Sequence, residues 1–194
     1  IARTDATGRG ELDADVLAFT TSLPIDQVLY GADIAGSLAH VRMLEEVGLI
    51  PAPDAAAIRS GLRAIYDEAR AGQLKWANEE DIHMAIEVEL TKRVGDPARR
   101  LHTARSRNDQ IALDARLWLR EQSANILEQI ATVLEALIAR AESEEGSWVL
   151  PAYTHRQRAQ PIVLAYLFSA YGQMLARDEA QFSQVLNGLD ECPL

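Results

Sequence analysis

The chain has 194 residues, 48% of them hydrophobic and 25% charged, which is enough apolar material for a sizeable core in one or two domains. Its formal net charge of −10 argues against a nucleic acid or an anionic membrane as the partner. Both of those partners require a basic face, which this charge balance does not favour.

The cysteine content and the length of the apolar runs indicate in which cellular compartment the protein resides. A single cysteine, Cys192, leaves no internal disulfide available, and no apolar segment with a basic flank opens the chain as a signal peptide would. The longest apolar run begins at Ile162 and is far shorter than the roughly 18 to 20 residues needed to cross a bilayer. We therefore expect a cytoplasmic protein without a membrane-spanning segment.

Helical periodicity dominates the sequence and predicts an all-α fold. The first predicted helix covers 25–47 and stops at a glycine followed by two prolines, and the second covers 54–71. Asn78 and Asp81 resemble a capping box, which predicts a third helix reaching about Val94.

A stretch without glycine or proline then runs over 108–144 and would form a helix about 55 Å long. Its apolar residues form two parallel seams, so we expect other chains to complete a helical bundle around it. A further bundle helix, antiparallel to this one, is predicted to begin near Pro161. The predicted domains are a helical N-terminal domain over 1–107 and the start of a central bundle over 108–194.

The first polar cluster, LHTARSRNDQ, stands directly before the long predicted helix. A helix N-terminus offers free N–H groups and a positive dipole, and arginine, serine and asparagine add donors suited to a carboxylate. The alternative is an ordinary N-cap made by Ser106 or Asn108. The polar residues are His102, Thr103, Arg105, Ser106, Arg107, Asn108 and Asp109.

The second polar cluster, PAYTHRQRAQP, places Thr154 and His155 before the next predicted helix. Histidine can take or relay a proton near neutral pH, and threonine can bind a carboxylate oxygen. The alternative is a polar connection whose histidine is merely solvated.

Three weaker pairs of candidate residues lie earlier in the chain, and local capping or turn chemistry would explain each of them equally well. They are Ser22 with Asp26, Asp33 with Ser37, and Asp81 with His83. Two residues apart on a helix, Asp81 and His83 do not share a face, so they are not expected to form a direct dyad. His40, on an amphipathic helix, is interpreted as structural.

The cluster LHTARSRNDQ resembles the signature of the argininosuccinate lyase and δ-crystallin family within the aspartase and fumarase superfamily. Four more segments resemble this family in the family's order: FTTSLPIDQVL, DIAGSLAHVRML, EEDIHMAIEVEL and LPAYTHRQRAQP. The resemblance covers the chain from about Phe19. It implies a small helical N-terminal domain followed by the long helices of a central bundle.

The resemblance also implies an activity, the β-elimination of argininosuccinate to arginine and fumarate in arginine biosynthesis. In this family His155 belongs to the proton-transfer network. Ser22, Asn108 and Thr154 are the implied substrate-binding residues. Five further positions are implied less strongly: Asp26, Asp81, His83, Ser106 and Arg107. No metal or organic cofactor is expected, and the implied assembly is a homotetramer whose sites combine segments from three subunits.

The family's catalytic serine lies in a Gly-Ser-Ser-x-Met-Pro-x-Lys-x-Asn-Pro loop, whereas this sequence contains no Ser-Ser pair. We therefore expect the 194-residue chain by itself to have negligible lyase activity. Ultraviolet detection of fumarate checks this expectation, and robust turnover would contradict it. Two alternatives stay open, a non-catalytic structural protein like the crystallins and a sister lyase that releases fumarate from another compound.

Overall fold

A computed structural model describes residues 14–76 and 78–193, and it confirms the predicted helical fold, with 75% of these described residues in helices. Contacts divide the described residues into two compact units, one up to Ala115 together with Pro193, the other from Arg116 to Cys192. The predicted domain division at 107/108 stays a prediction.

The first unit is built from helices joined by short turns. Its elements are α1 (Ala14–Thr20), α2 (Leu23–Asp26), a 3₁₀ turn (Gln27–Leu29), α3 (Tyr30–Glu46), α4 (Ala52–Arg70), α5 (Ile82–Val94), a second 3₁₀ helix (Asp96–His102) and the start of α6 (Arg107–Glu142). The helix predicted over 25–47 is therefore three consecutive helical segments. The capping box predicted at Asn78 is wrong, because Asp81 is the N-cap of α5 and accepts a hydrogen bond from the Met84 N–H at 2.6 Å.

The core of the first unit lies between α3, α4 and α5, which supply aliphatic side chains at helical spacing. Each such side chain stabilises the fold by about 1.5 to 3 kcal/mol when fully buried. This core holds α3 and α5 in a defined relation, and both helices carry candidate site residues. The largest buried aliphatic residues are Ile34, Val41, Leu44, Ile58, Leu62, Ile65, Ile82, Ile86 and Leu90.

The second unit contains the rest of α6, a 3₁₀ turn (Glu144–Ser147), strands β1 (Val149–Thr154) and β2 (Gln157–Val163), and α7 (Leu164–Gly188). Helix α7 runs antiparallel to α6, as predicted. At one end Arg116 donates to the carbonyl of Gly188, and farther along α6 Leu134 faces Gly172.

The antiparallel hairpin of β1 and β2 was not predicted. The helix predicted to begin near Pro161 is α7, but its start lies three residues later, at Leu164, because Pro161 lies in β2 opposite Pro151. Proline cannot donate to a strand ladder, but in a two-stranded ribbon each strand has an edge where no donor is needed.

Within the second unit, α6 and α7 leave many large apolar side chains exposed. Tyr166 is 67% exposed, Ile138 55% and Met174 52%. A groove of about 450 Å³ between the two helices is lined by residues such as Leu134 and Phe168. Among the described residues, no helix has both the length and the apolar character needed to cross a bilayer.

Candidate functional site

The N-terminus of α6 is capped by Ser106 and Asp109. The Ser106 Oγ accepts a hydrogen bond from the Asn108 N–H at 3.2 Å, and the Asp109 carboxylate accepts one from the Ser106 N–H at 2.9 Å. This reciprocal pair is a capping box. The Ser106 hydroxyl thus caps α6 as an acceptor and keeps its own proton for donation.

Asn108 stands on the first turn of α6 with an exposed side chain. Its amide group makes no hydrogen bond to the described residues, so it is available to a ligand. The neighbouring Arg107 is held in place, since its guanidinium donates to Gln110 at 3.0 Å and to Glu87 at 3.2 Å. A free amide donor at the positive end of a long helix is suited to binding a carboxylate.

Ser22, Asp26 and Asp81 meet at the start of α5. The Ser22 hydroxyl donates to the Asp26 carboxylate, whose other oxygen accepts the Ile82 N–H at 3.1 Å. The backbone N–H of Ser22 also donates to the Glu80 carbonyl at 2.8 Å. Both acids therefore satisfy N–H groups at the start of α5, and they tie this helix end to α2.

His83 is buried inside the first unit, with a side chain that is only 2% exposed. Its Nδ1 lies 3.2 Å from the Asp114 carboxylate on α6 and 3.7 Å from the Asp33 carboxylate on α3. Both contacts are ion pairs and not hydrogen bonds, since His83 Nδ1 and the Asp114 oxygens have no hydrogen-bond partner among the described residues. Asp33 also accepts a hydrogen bond from Gln110. Asp114, early in α6, is absent from the sequence-predicted set, and no signal in its local sequence distinguishes this buried acid from a solvent-facing one.

Burial and charge act against each other in this cluster. Burial by itself would lower the pKa of His83, but the two carboxylates outweigh it and raise the pKa to about 9. Burial raises the pKa of Asp114 to about 6. For Asp33, burial acts in the same direction but is outweighed by His83 and Gln110, so its pKa is lowered. His83 is therefore a cation at neutral pH.

Thr154 and His155 lie in the second unit, at the end of β1 and in the turn that follows. His155 and Arg156 form a two-residue turn with φ values of 50° and 62°, while Thr154 pairs with Gln157. Both turn residues thus have the left-handed conformation of a tight hairpin turn. The side chains of Thr154 and His155 are exposed and make no hydrogen bond to the described part of the chain.

The sequence-predicted residues therefore form separate groups. Ser22, Asp26 and Asp81 gather at the start of α5, and Ser106, Arg107 and Asn108 at the start of α6. His83 lies in the core. In the second unit, Thr154 and His155 present an exposed hydroxyl and imidazole. Chemically, hydroxyl and amide groups such as those of Thr154 and Asn108 can donate hydrogen bonds to a carboxylate, and an imidazole can act as an acid or a base.

The chain belongs to the lyase family, whose model matches residues 8–194. A solved structure of a variant EDDS lyase with bound fumarate is similar over 97% of this chain and 37% of its own, with 28% identity and a TM-score of 0.74. The fold is thus the aspartase and fumarase-like helical fold.

Argininosuccinate lyases are among the similar proteins. The enzyme of Symbiobacterium thermophilum is 46% identical over 190 residues, which are 96% of this chain and 41% of the relative. That of Citrifermentans bemidjiense is 43% identical over 94% of this chain and 40% of the relative. The chain therefore spans about two fifths of the length of these relatives and corresponds to their N-terminal part.

Proposed function

We propose that the protein containing this chain is an argininosuccinate lyase of arginine biosynthesis, which eliminates arginine from argininosuccinate and releases fumarate. The observation that carries the proposal is the 46% identity to an argininosuccinate lyase over 96% of the chain. The exposed and unpartnered side chains of Asn108, Thr154 and His155 support it, because an enzyme of this kind needs free groups to hold a dicarboxylate.

In the proposed reaction, a base removes a proton from the succinyl carbon next to a carboxylate. The C–N bond to the guanidinium nitrogen then breaks and fumarate forms. Negative charge develops on the carboxylate before the bond breaks, so donors aimed at its oxygens lower the barrier. We assign this role to Asn108, Ser106 and Thr154, and place His155 in the proton-transfer network. The chemistry is acid–base throughout and requires no metal or organic cofactor.

For the guanidinium in the arginine half of the substrate we propose Asp26, and we propose Ser22 and Arg107 as further substrate-binding residues. A carboxylate and a guanidinium form charge-assisted, bidentate hydrogen bonds. Asp26 keeps acceptor capacity beyond its bonds to Ser22 and Ile82, because an ionised carboxylate has about four lone-pair sites. Asp81 supports this group by capping α5.

We propose that the active protein is a cytoplasmic homotetramer whose sites combine segments of neighbouring subunits. The second unit supports this assembly, since large apolar side chains of α6 and α7 are exposed along the helices rather than at scattered points. Contiguous exposed apolar surface of this kind marks an interaction site. Copies of the same chain would cover it by completing a helical bundle.

The Ile138→Glu variant of the complete protein is expected to shift the assembly toward smaller species. Ile138 is 55% exposed and lines the groove between α6 and α7, so a carboxylate there would be buried without a partner in the bundle. Light scattering after size exclusion measures the effect. Thr132→Glu, at an exposed position of α6, is the matched control. A tetramer unchanged in the Ile138 variant would contradict the proposed interface.

The fumarate assay on the complete protein tests the proposed function. Argininosuccinate should be converted with formation of arginine and fumarate in equal amounts, while other succinyl compounds should react far more slowly. No turnover of any succinyl compound would favour the crystallin-like structural alternative. Preference for another succinyl substrate would favour the sister lyase.

A further inference from the structure

His83 connects three helices through its imidazole. It stands on α5 and contacts Asp33 on α3 and Asp114 on α6, at 3.7 and 3.2 Å. The side chains of both acids are at most 1% exposed. Two carboxylates this deeply buried are costly unless a cation compensates them. A protonated imidazole between them provides that compensation.

The negative charges of Asp33 and Asp114 face positively charged side chains of the first unit. Arg105, from the connection before α6, acts electrostatically on both acids and is 6% exposed. Asp33 and Asp114 thus face two cations, His83 and Arg105. On the outer side of α5, Glu87 is occupied by His102 at 3.3 Å and by Arg107. Arg105 also lies 3.9 Å from the Asp109 carboxylate on the first turn of α6, so its charge is shared, and His83 is the cation that lies directly between the two buried acids.

Other contacts at the same place hold the beginning of α6. Gln110 donates to Asp33, and Arg105 donates to Ser37 on α3 at 3.0 Å. Gly36 permits the close approach, since a Cβ there would lie 3.1 Å from the Leu113 side chain. The first turns of α6, which carry Asn108, are thus bound to α3 and α5 through one polar cluster.

A substrate does not fit beside His83. The cavity lined by Asp33, His83 and Gln110 has a volume of about 10 Å³, which is room for one water molecule at most. The imidazole consequently has no access to a dicarboxylate in this fold.

We propose that His83 is a positioning residue. Its imidazolium joins Asp33 to Asp114 and thereby fixes the first turns of α6, so that Asn108 is presented in a defined orientation. The role in catalysis rests on the proposed function, whereas the role in orienting α6 depends only on the geometry of this cluster.

Hydrogen exchange of the complete protein tests the proposal directly. In the His83→Gln variant, the amides of residues 110–115 should exchange roughly tenfold faster or more, because the buried carboxylates lose their cation. Arg93→Gln is the matched control. It stands on the same helix, but its ion pairs join Glu68 on α4 and Glu89. The control should leave the exchange of 110–115 unchanged.

The pH dependence provides a second measurement. The pKa of His83 is raised from 6.5 to about 9, so its stabilisation is complete below about pH 6.5 and is lost as the pH rises through about 9. The difference in Tm between wild type and His83→Gln should therefore be larger at pH 7 than at pH 10. If His83→Gln does not fold, Asp114→Asn replaces it and should change the exchange of 110–115 in the same direction.

Kinetics distinguish positioning from direct binding. Loss of positioning should lower kcat with little change in KM, since Asn108 acts on charge that develops during the reaction, whereas loss of a substrate ligand should raise KM.

Unchanged exchange of 110–115 in the variant would overturn the proposal, and so would a divalent metal retained stoichiometrically by the purified protein. If wild type releases no fumarate, the proposed function fails while the exchange and Tm measurements still decide the role of His83.

Discussion

The His155→Ala variant of the complete protein is expected to release fumarate roughly 10² to 10⁴ times more slowly than wild type, the usual contribution of one acid–base group. The reason is chemical, because His155 carries an exposed imidazole with no partner in the described part of the chain. Removing it should lower kcat. The measurement is the initial rate of fumarate formation at saturating argininosuccinate, near neutral pH.

Assembly of this variant should be normal, because the His155 side chain contributes nothing to the packing of its own unit. Gln157→Ala, on the other side of the same turn, is the matched control and should keep nearly full activity. Circular dichroism and light scattering would verify that both variants fold and assemble alike. Unchanged turnover in His155→Ala would remove this residue from the mechanism.

The hairpin that carries His155 could not be predicted from periodicity. Alternation of polar and apolar residues is weak in it, and both strands contain a proline, which is typical of loops and helix starts. Pairing across the turn overrides these local preferences, since Leu150 pairs with Ile162 and Tyr153 with Arg158. The two-residue turn also lacks the asparagine and glycine that usually mark such a connection.

The helices, by contrast, could be predicted because the residues that end a helix lie next to it in the sequence. Gly95 stands directly after α5 and Gly48 two residues after α3, both with positive φ, as their sequence context indicated. The long helix α6 was placed within two residues at both ends, since no glycine or proline interrupts it. The capping box at the start of α5 was predicted wrongly because Asn78 and Asp81 are both residue types that cap helices.

The candidate site was predicted only in part, because sequence patterns report local structure and not contacts between distant segments. Ser106 and Asn108 are two residues apart in one polar segment, so both the cap and the free amide could be predicted from that segment. The cluster of Asp33, His83 and Asp114 joins three helices that are distant along the chain, and only tertiary packing brings them together. Nothing local marks Asp114 as different from a solvent-facing acid.

The Asn108→Ala variant of the complete protein is expected to lose roughly 10² to 10³ in kcat, the range found when one donor to developing negative charge is removed. The Asn108 side chain is exposed on the first turn of α6 and does not cap the helix, since Ser106 and Asp109 do so. The loss should therefore appear in kcat without a matching loss of stability. Steady-state kinetics and thermal unfolding measure the two effects separately.

Asn125→Ala is the matched control, because Asn125 is also exposed on α6 but lies farther along the helix. It should retain nearly full activity. Asn108→Asp provides a stricter variant of the same test, since a carboxylate of similar shape would repel the developing charge and should lower kcat further. Full activity in Asn108→Asp would contradict the assignment of Asn108 as a donor to the substrate carboxylate. If the Asn108→Ala variant loses activity only because it is partly unfolded at the assay temperature, Asn108 would instead be assigned to the stability of α6.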